Sequence, residues 1–109
     1  MELHLHHPQP DTVRLALHGE VTIYQASALK TELLDALTAA QGHDCTRYEL
    51  DLQAVTELDS AGVQLLLMVL REVQRLQKPL HTVAASATAR EVLDFYRLGT
   101  DLNLAAAQP

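Results

Sequence analysis

Ser60 is the side chain of this sequence whose type and setting point most directly to chemistry. It lies in Asp59-Ser60-Ala61-Gly62, between an aliphatic strand pattern and an aliphatic helical repeat. A hydroxyl at a helix start has three uses. As an N-cap, its Oγ accepts a bond from the N–H two or three residues on, and losing it costs about 1 kcal/mol. As a nucleophile it would need a His base and a G-x-S-x-G elbow, but Leu58 stands where the first Gly belongs, so a hydrolase is not expected. As a phosphoryl acceptor it would gain a charge of about −1.5 to −2 beside the free N–H groups and positive dipole end of the helix. The fold should survive that change. The surface would not be the same, because a partner packed there must desolvate a dianion or leave.

The neighbours of Ser60 suggest recognition more than catalysis. Asp59 either activates the hydroxyl as a base or shapes the loop and aids recognition, and Gly62 either lets a partner backbone approach or packs tightly on the sheet. In the helix that follows, Val63, Leu66, Leu67, Leu70 and Val73 share one side, which turns Leu65, Met68, Val69 and Leu76 toward the others. Some of these should be exposed, and Leu65 and Met68 join Asp59, Ser60, Ala61 and Gly62 as the expected partner surface. The alternative is a broad core stripe that takes in Val69 and Leu76. His4 and His6 belong to an edge strand, His7 points the other way, and His18, His43 and His81 are scattered, so no metal site is expected. There is no P-loop and no G-x-G-x-x-G, so no nucleotide cofactor is expected either. Cys45, near Asp44 and Arg47, reads as an incidental thiol.

The whole chain has 109 residues, 48% apolar and 20% charged, which suits one compact domain and not two. Its formal charge of −6 argues against binding a phosphate backbone, so nucleic acid is not expected as a partner. A single cysteine forms no internal disulfide and suits a reducing compartment. The first eight residues lack the basic start and apolar run of a secretory leader. The longest apolar stretch, Leu65 to Leu70, has six residues, far below the roughly 18 of a membrane span. A cytoplasmic protein with no membrane insertion of its own is the expectation.

The elements that must position Ser60 follow from periodicity. Leu3 and Leu5 alternate with His4 and His6; after a Pro8-Gln9-Pro10-Asp11 turn, Val13, Leu15 and Leu17 resume the alternation. Thr22 to Gln25 has capping-box spacing, which predicts a helix from about 23 to about 40 with Ile23, Ala26, Leu29, Leu33, Leu37 and Ala40 inward and Gly42 as its stop. Tyr48, Leu50 and Leu52 make a third strand, and Val55 and Leu58 connect it to the Ser60 helix, which runs to about Gln77 before Pro79. A fourth strand covers 80–84. Ser86 or Thr88 then caps a third helix with Ala89, Val92, Leu93 and Tyr96 inward and Gly99 at its end, and Leu102 and Leu104 could add an edge strand. The order ββαβαβα implies an α/β domain with a mixed sheet of four to five strands, core about 3–104, and a frayed tail at 105–109.

The run from Leu50 to Val63, containing Asp59-Ser60-Ala61-Gly62, resembles the motif of STAS domains, in particular the bacterial anti-sigma factor antagonists. Gly19-Glu20-Val21 and Gly99 lie where that family has its other recurring features, and the similarity extends from about Val13 to about Leu104. The resemblance implies that Ser60 is phosphorylated by a partner that is both an anti-sigma factor and a serine kinase of the ATP-binding, histidine-kinase-like type. It also implies that the unmodified form holds that kinase, that phosphorylation breaks the complex, and that the domain itself is no enzyme. STAS-like domains also serve as constitutive accessory subunits of membrane transporters, including lipid-transport ATPases, or sit beside chemotaxis components. Two departures from many antagonists bear on that choice: Val21-Thr22-Ile23-Tyr24 replaces an aliphatic-Asp pair, and the second helix is unusually aliphatic.

Overall fold

The computed structural model describes residues 2–41 and 45–105. An antiparallel hairpin opens it, β1 (Glu2–His6) with β2 (Thr12–Val21), which sets Leu3 opposite Leu17 and Leu5 opposite Leu15. α1 (Ala26–Gln41) leads to β3 (Arg47–Leu58), α2 (Ser60–Arg75) leads to β4 (Leu80–Ala85), and α3 (Ala87–Phe95) follows. The sheet order is β1-β2-β3-β4, with the β2/β3 and β3/β4 pairs parallel. Two right-handed crossovers that step in the same direction put α1 and α2 on the same face of the sheet, where they touch each other. The thinnest dimension, 21 Å, suits one sheet and one helical layer.

Alternation gives the sheet its two faces. Leu15, Leu17, Tyr48, Leu50 and Leu52 are buried in one core with Leu29, Leu33 and Leu37 of α1 and Leu66, Val69 and Val73 of α2. The opposite face is polar. There Arg14 and Arg47 both donate to the carboxylate of Glu49, at 3.0 and 3.1 Å, and the ring of His4 lies 4.3 Å from that of His18.

β3 is longer than its sequence pattern predicts, for a reason visible in its pairing. Its register against β2 slips between Ala16 and His18 and again between Gly19 and Glu20, and each slip inserts one extra residue in β3. Buried positions therefore pass from a spacing of two at Tyr48, Leu50 and Leu52 to a spacing of three at Val55 and Leu58. The segment expected to be a connection is strand, and it delivers the chain directly to Asp59.

Other boundaries need correction. Thr22 Oγ1 donates to Gln25 Oε1 at 2.6 Å and Gln25 N donates to Thr22 O, so these residues close a turn instead of a capping box. α1 starts at Ala26, and Ile23 lies outside its inner stripe, 67% exposed. Gly42 lies outside the described residues. α2 ends at Arg75 and Gln77 takes the left-handed conformation, φ 59°, just before Pro79. α3 ends at Phe95 with Arg97 left-handed, φ 57°, so Arg97 and not Gly99 makes the stop, and Tyr96 is exposed instead of inward. Leu104 forms one parallel bridge to Thr82 and no fifth strand exists among the described residues; Leu102 is fully buried all the same.

Candidate functional site

Asp59, not Ser60, caps α2. Its extended backbone leaves β3, its Oδ1 accepts Gly62 N at 2.9 Å, and its Oδ2 accepts Ile23 N at 2.9 Å. One carboxylate thus ties the helix start to the β2–α1 loop. Partial burial alone would raise its pKa, but the N–H bonds from Gly62, Ile23 and Ala61 outweigh that and hold the carboxyl below the usual Asp value. The bonds it accepts make Asp59 a clamp. Ser60, displaced to the first helical position, is exposed, and the capping bond it could have made is supplied by its neighbour.

Gly62 is required where it stands. A Cβ there would lie 2.2 Å from Val21 O and 2.6 Å from Leu58 Cδ1, a clash with backbone that no rotamer relieves. The tight-packing alternative for Gly62 therefore holds, and the residue is buried rather than offered to a partner.

Two grooves flank the start of α2. One, of about 380 Å³, runs toward α3 and is lined by Leu58, Asp59, Ser60, Glu91, Phe95 and Tyr96 among others. The other, of about 420 Å³, lies between α1 and α2 and includes Ala61, Leu65, Met68, Lys30 and Arg71. The residues expected to form one surface are thus divided between two. Leu65 corrects the expectation of exposure: it is 6% exposed, the floor of its groove, while Met68 and Ala61 are half-buried. Val69 is fully buried and Leu76 partly so, hence the broad core stripe accounts for both; Leu67 and Leu70 are only partly covered.

Sequence reasoning missed the apolar rim. Among the described residues five large apolar side chains are exposed: Phe95 and Tyr96 line the groove beside Ser60, Ile23 and Tyr24 lie in the loop whose Ile23 N is held by Asp59, and Leu5 lies on β1. Phe95 and Tyr96 meet edge to face, with ring centroids 5.2 Å apart. A signal was present for Phe95, which at 100° per residue falls outside the stripe of Ala89, Val92 and Leu93. The groove beside Ser60 has Asp59 and Glu91 and no Lys or Arg in its lining, so a phosphoryl group there would meet negative charge.

The remaining candidates carry little chemistry. Cys45 is buried with its Sγ 3.3 Å from Arg47 O, beside Tyr48, whose phenol burial and Cys45 push up to about 12. His4 is half-buried against His18, and His6 and His7 are exposed. Among the described residues no group of His, Cys, Asp and Glu is placed to hold a metal ion, and no helix is long and apolar enough to cross a membrane.

A mixed four-stranded sheet whose third strand runs into an Asp-capped helix carrying Ser at its first position defines a STAS-type α/β protein. A family model described as "Mlab, STAS domain" matches residues 6–105, and the chain belongs to that family. No curated protein matches the sequence. Among solved structures the fold is similar to the anti-sigma factor antagonist SpoIIAA in its unphosphorylated form, at 23% identity and TM-score 0.73, covering 96% of this chain and 89% of that one. It is similar also to the Bacillus cell fate determinant SpoIIAA in the phosphorylated form, at 25% identity and TM-score 0.68, covering 96% and 92%. An anti-sigma factor antagonist from Mycobacterium paratuberculosis gives TM-score 0.81 at 17% identity, covering 97% and 86%.

Proposed function

We propose that this protein is a binding switch of the anti-sigma factor antagonist type, set by phosphorylation of Ser60. The partner is an anti-sigma factor that is also a serine kinase of the ATP-binding, histidine-kinase-like type, met in the cytoplasm or at the cytosolic side of a membrane. The observation that carries this reading is the position of the Ser60 hydroxyl: exposed, relieved of capping by Asp59, and set in the wall of a groove beside Phe95 and Tyr96. The unmodified face offers apolar contact, which rewards burial. Esterification adds a dianion between Asp59 and Glu91 and makes burial of the same face costly. The fold should tolerate it, since SpoIIAA keeps a similar fold in its unphosphorylated and phosphorylated forms.

A second reading, a constitutive accessory subunit of a transporter of the lipid-transport ATPase type or of a chemotaxis complex, is favoured by the extent of the rim. Tyr24 is 89% and Phe95 81% exposed, a surface suited to permanent cover. The deciding experiment measures affinity of the wild type, Ser60→Glu and a phosphorylated sample for the protein recovered with the wild type. The switch requires both modified forms to bind on the order of tenfold or more weakly, a change of about 1.4 kcal/mol, with unaltered far-UV circular dichroism and Tm. Equal binding by all three supports the constitutive subunit instead.

A further inference from the structure

The two edges of the sheet are finished differently. Beyond β4 the chain returns to cover the edge: Thr82 N donates to Leu102 O at 3.1 Å and Ala105 N donates to Thr82 O at 2.9 Å. Among the described residues β1 has only β2 beside it, and Glu2–His6 contains no Pro, no Lys and no bulge, the devices that protect an open edge. Leu5, on this strand, is 47% exposed, the one large exposed apolar side chain among the described residues that belongs neither to the Ser60 groove nor to the loop held by Asp59. A groove of about 610 Å³ runs beside it between β1 and α1, with Leu3, Leu5, Ala36 and Ala39 among its lining residues.

We infer that this edge pairs with a second copy of itself, β1 against β1 in antiparallel register about a dyad through His4. The strand Glu-Leu-His-Leu-His is its own complement in that arrangement. Glu2 faces His6 of the second copy, Leu3 faces Leu5, and the two His4 residues meet on the axis. The Glu2 carboxylate already holds His4 Nε2 with Oε2 at 2.8 Å, and its second oxygen, which bonds no other described residue, can take the other copy's His6. The leucine pairs fall on the α1 side, where Ala36 and Ala39 leave room. Acidic Glu32 and Asp35 on the same groove approach their counterparts and oppose the pairing, so added salt should tighten it. A five-residue edge buries less than a standard interface, so the dimer is weak. The inference is independent of Ser60.

Sedimentation equilibrium of the full chain over a wide concentration range tests it. A reversible monomer–dimer equilibrium is expected, in which Glu2→Lys or His6→Glu alone weakens association about tenfold, because the symmetric interface contains each contact twice. The double variant Glu2→Lys/His6→Glu restores an attractive pair and should return the constant to the wild-type value. Circular dichroism of each variant checks that these exposed substitutions leave the fold intact. A chain that stays monomeric to about 1 mM, a dimer indifferent to the single substitutions, or a double variant as weak as the singles would overturn the inference.

Discussion

α2 and α3 begin in the same way, with a parallel strand, one extended residue and a helix, and a serine stands at each start. In α3 that serine is the cap: Ser86 Oγ accepts Ala89 N at 3.1 Å and donates to Val55 O at 2.7 Å, so the hydroxyl is used twice. In α2 the cap is Asp59 and the serine falls one residue later, exposed. One position in the chain separates a hydroxyl that holds the fold together from one that is available to a partner. Residue type and neighbourhood are alike at the two sites; occupancy of the cap decides between them.

The strongest perturbation of this comparison is Gly62→Ala. Alanine in a helix ordinarily gains up to about 1 kcal/mol over glycine, but here its Cβ meets Val21 O, and α2 must shift from the sheet. A net loss of about 2–3 kcal/mol is expected in chemical denaturation. Next comes the serine pair. Ser86→Ala should cost about 1–2 kcal/mol, a fall in Tm of about 5–10 °C, whereas Ser60→Ala should leave Tm nearly unchanged. Equal losses at the two serines would erase the distinction between a capping and a free hydroxyl. A loss at the lower end of the Ser86 range belongs to Asp59→Asn, which keeps a capping oxygen but loses the charge and the second acceptor, about 1 kcal/mol at neutral pH. The pKa of Asp59 is lowered by folding, so its contribution is present above the ordinary Asp value of 3.8 and is lost as the pH falls through the folded value. Denaturation as a function of pH should therefore show the two proteins converging in acid. A gap that persists there would assign the effect to packing.

The readable parts of this fold were those governed by local periodicity. Leu29, Leu33 and Leu37 repeat at helical spacing and are buried, and the alternation at Tyr48, Leu50 and Leu52 marks a strand face. Errors arose where the pattern depended on a partner element. The extra residues in β3 exist only relative to β2, so the spacing of Val55 and Leu58 looked like a connection. The capping spacing of Thr22 and Gln25 predicts a helix that takes in Ile23, yet their side chains bond each other, and the Asp59 carboxylate holds Ile23 N from across the chain. The same limit hid the site's rim: nothing local brings the end of α3 and the Ile23 loop to the start of one helix.

From composition and pattern alone came the α/β order, the aliphatic core and a serine at a helix start, because burial of apolar residues and backbone hydrogen bonding act within a few residues of chain. Which of two adjacent side chains caps α2, why position 62 tolerates no Cβ, and how Phe95 and Tyr96 come to stand beside Ser60 were settled only by the assembled molecule. Those outcomes depend on where Val21, Leu58 and α3 stand in space, and contacts between remote segments leave no periodic trace in the chain that makes them.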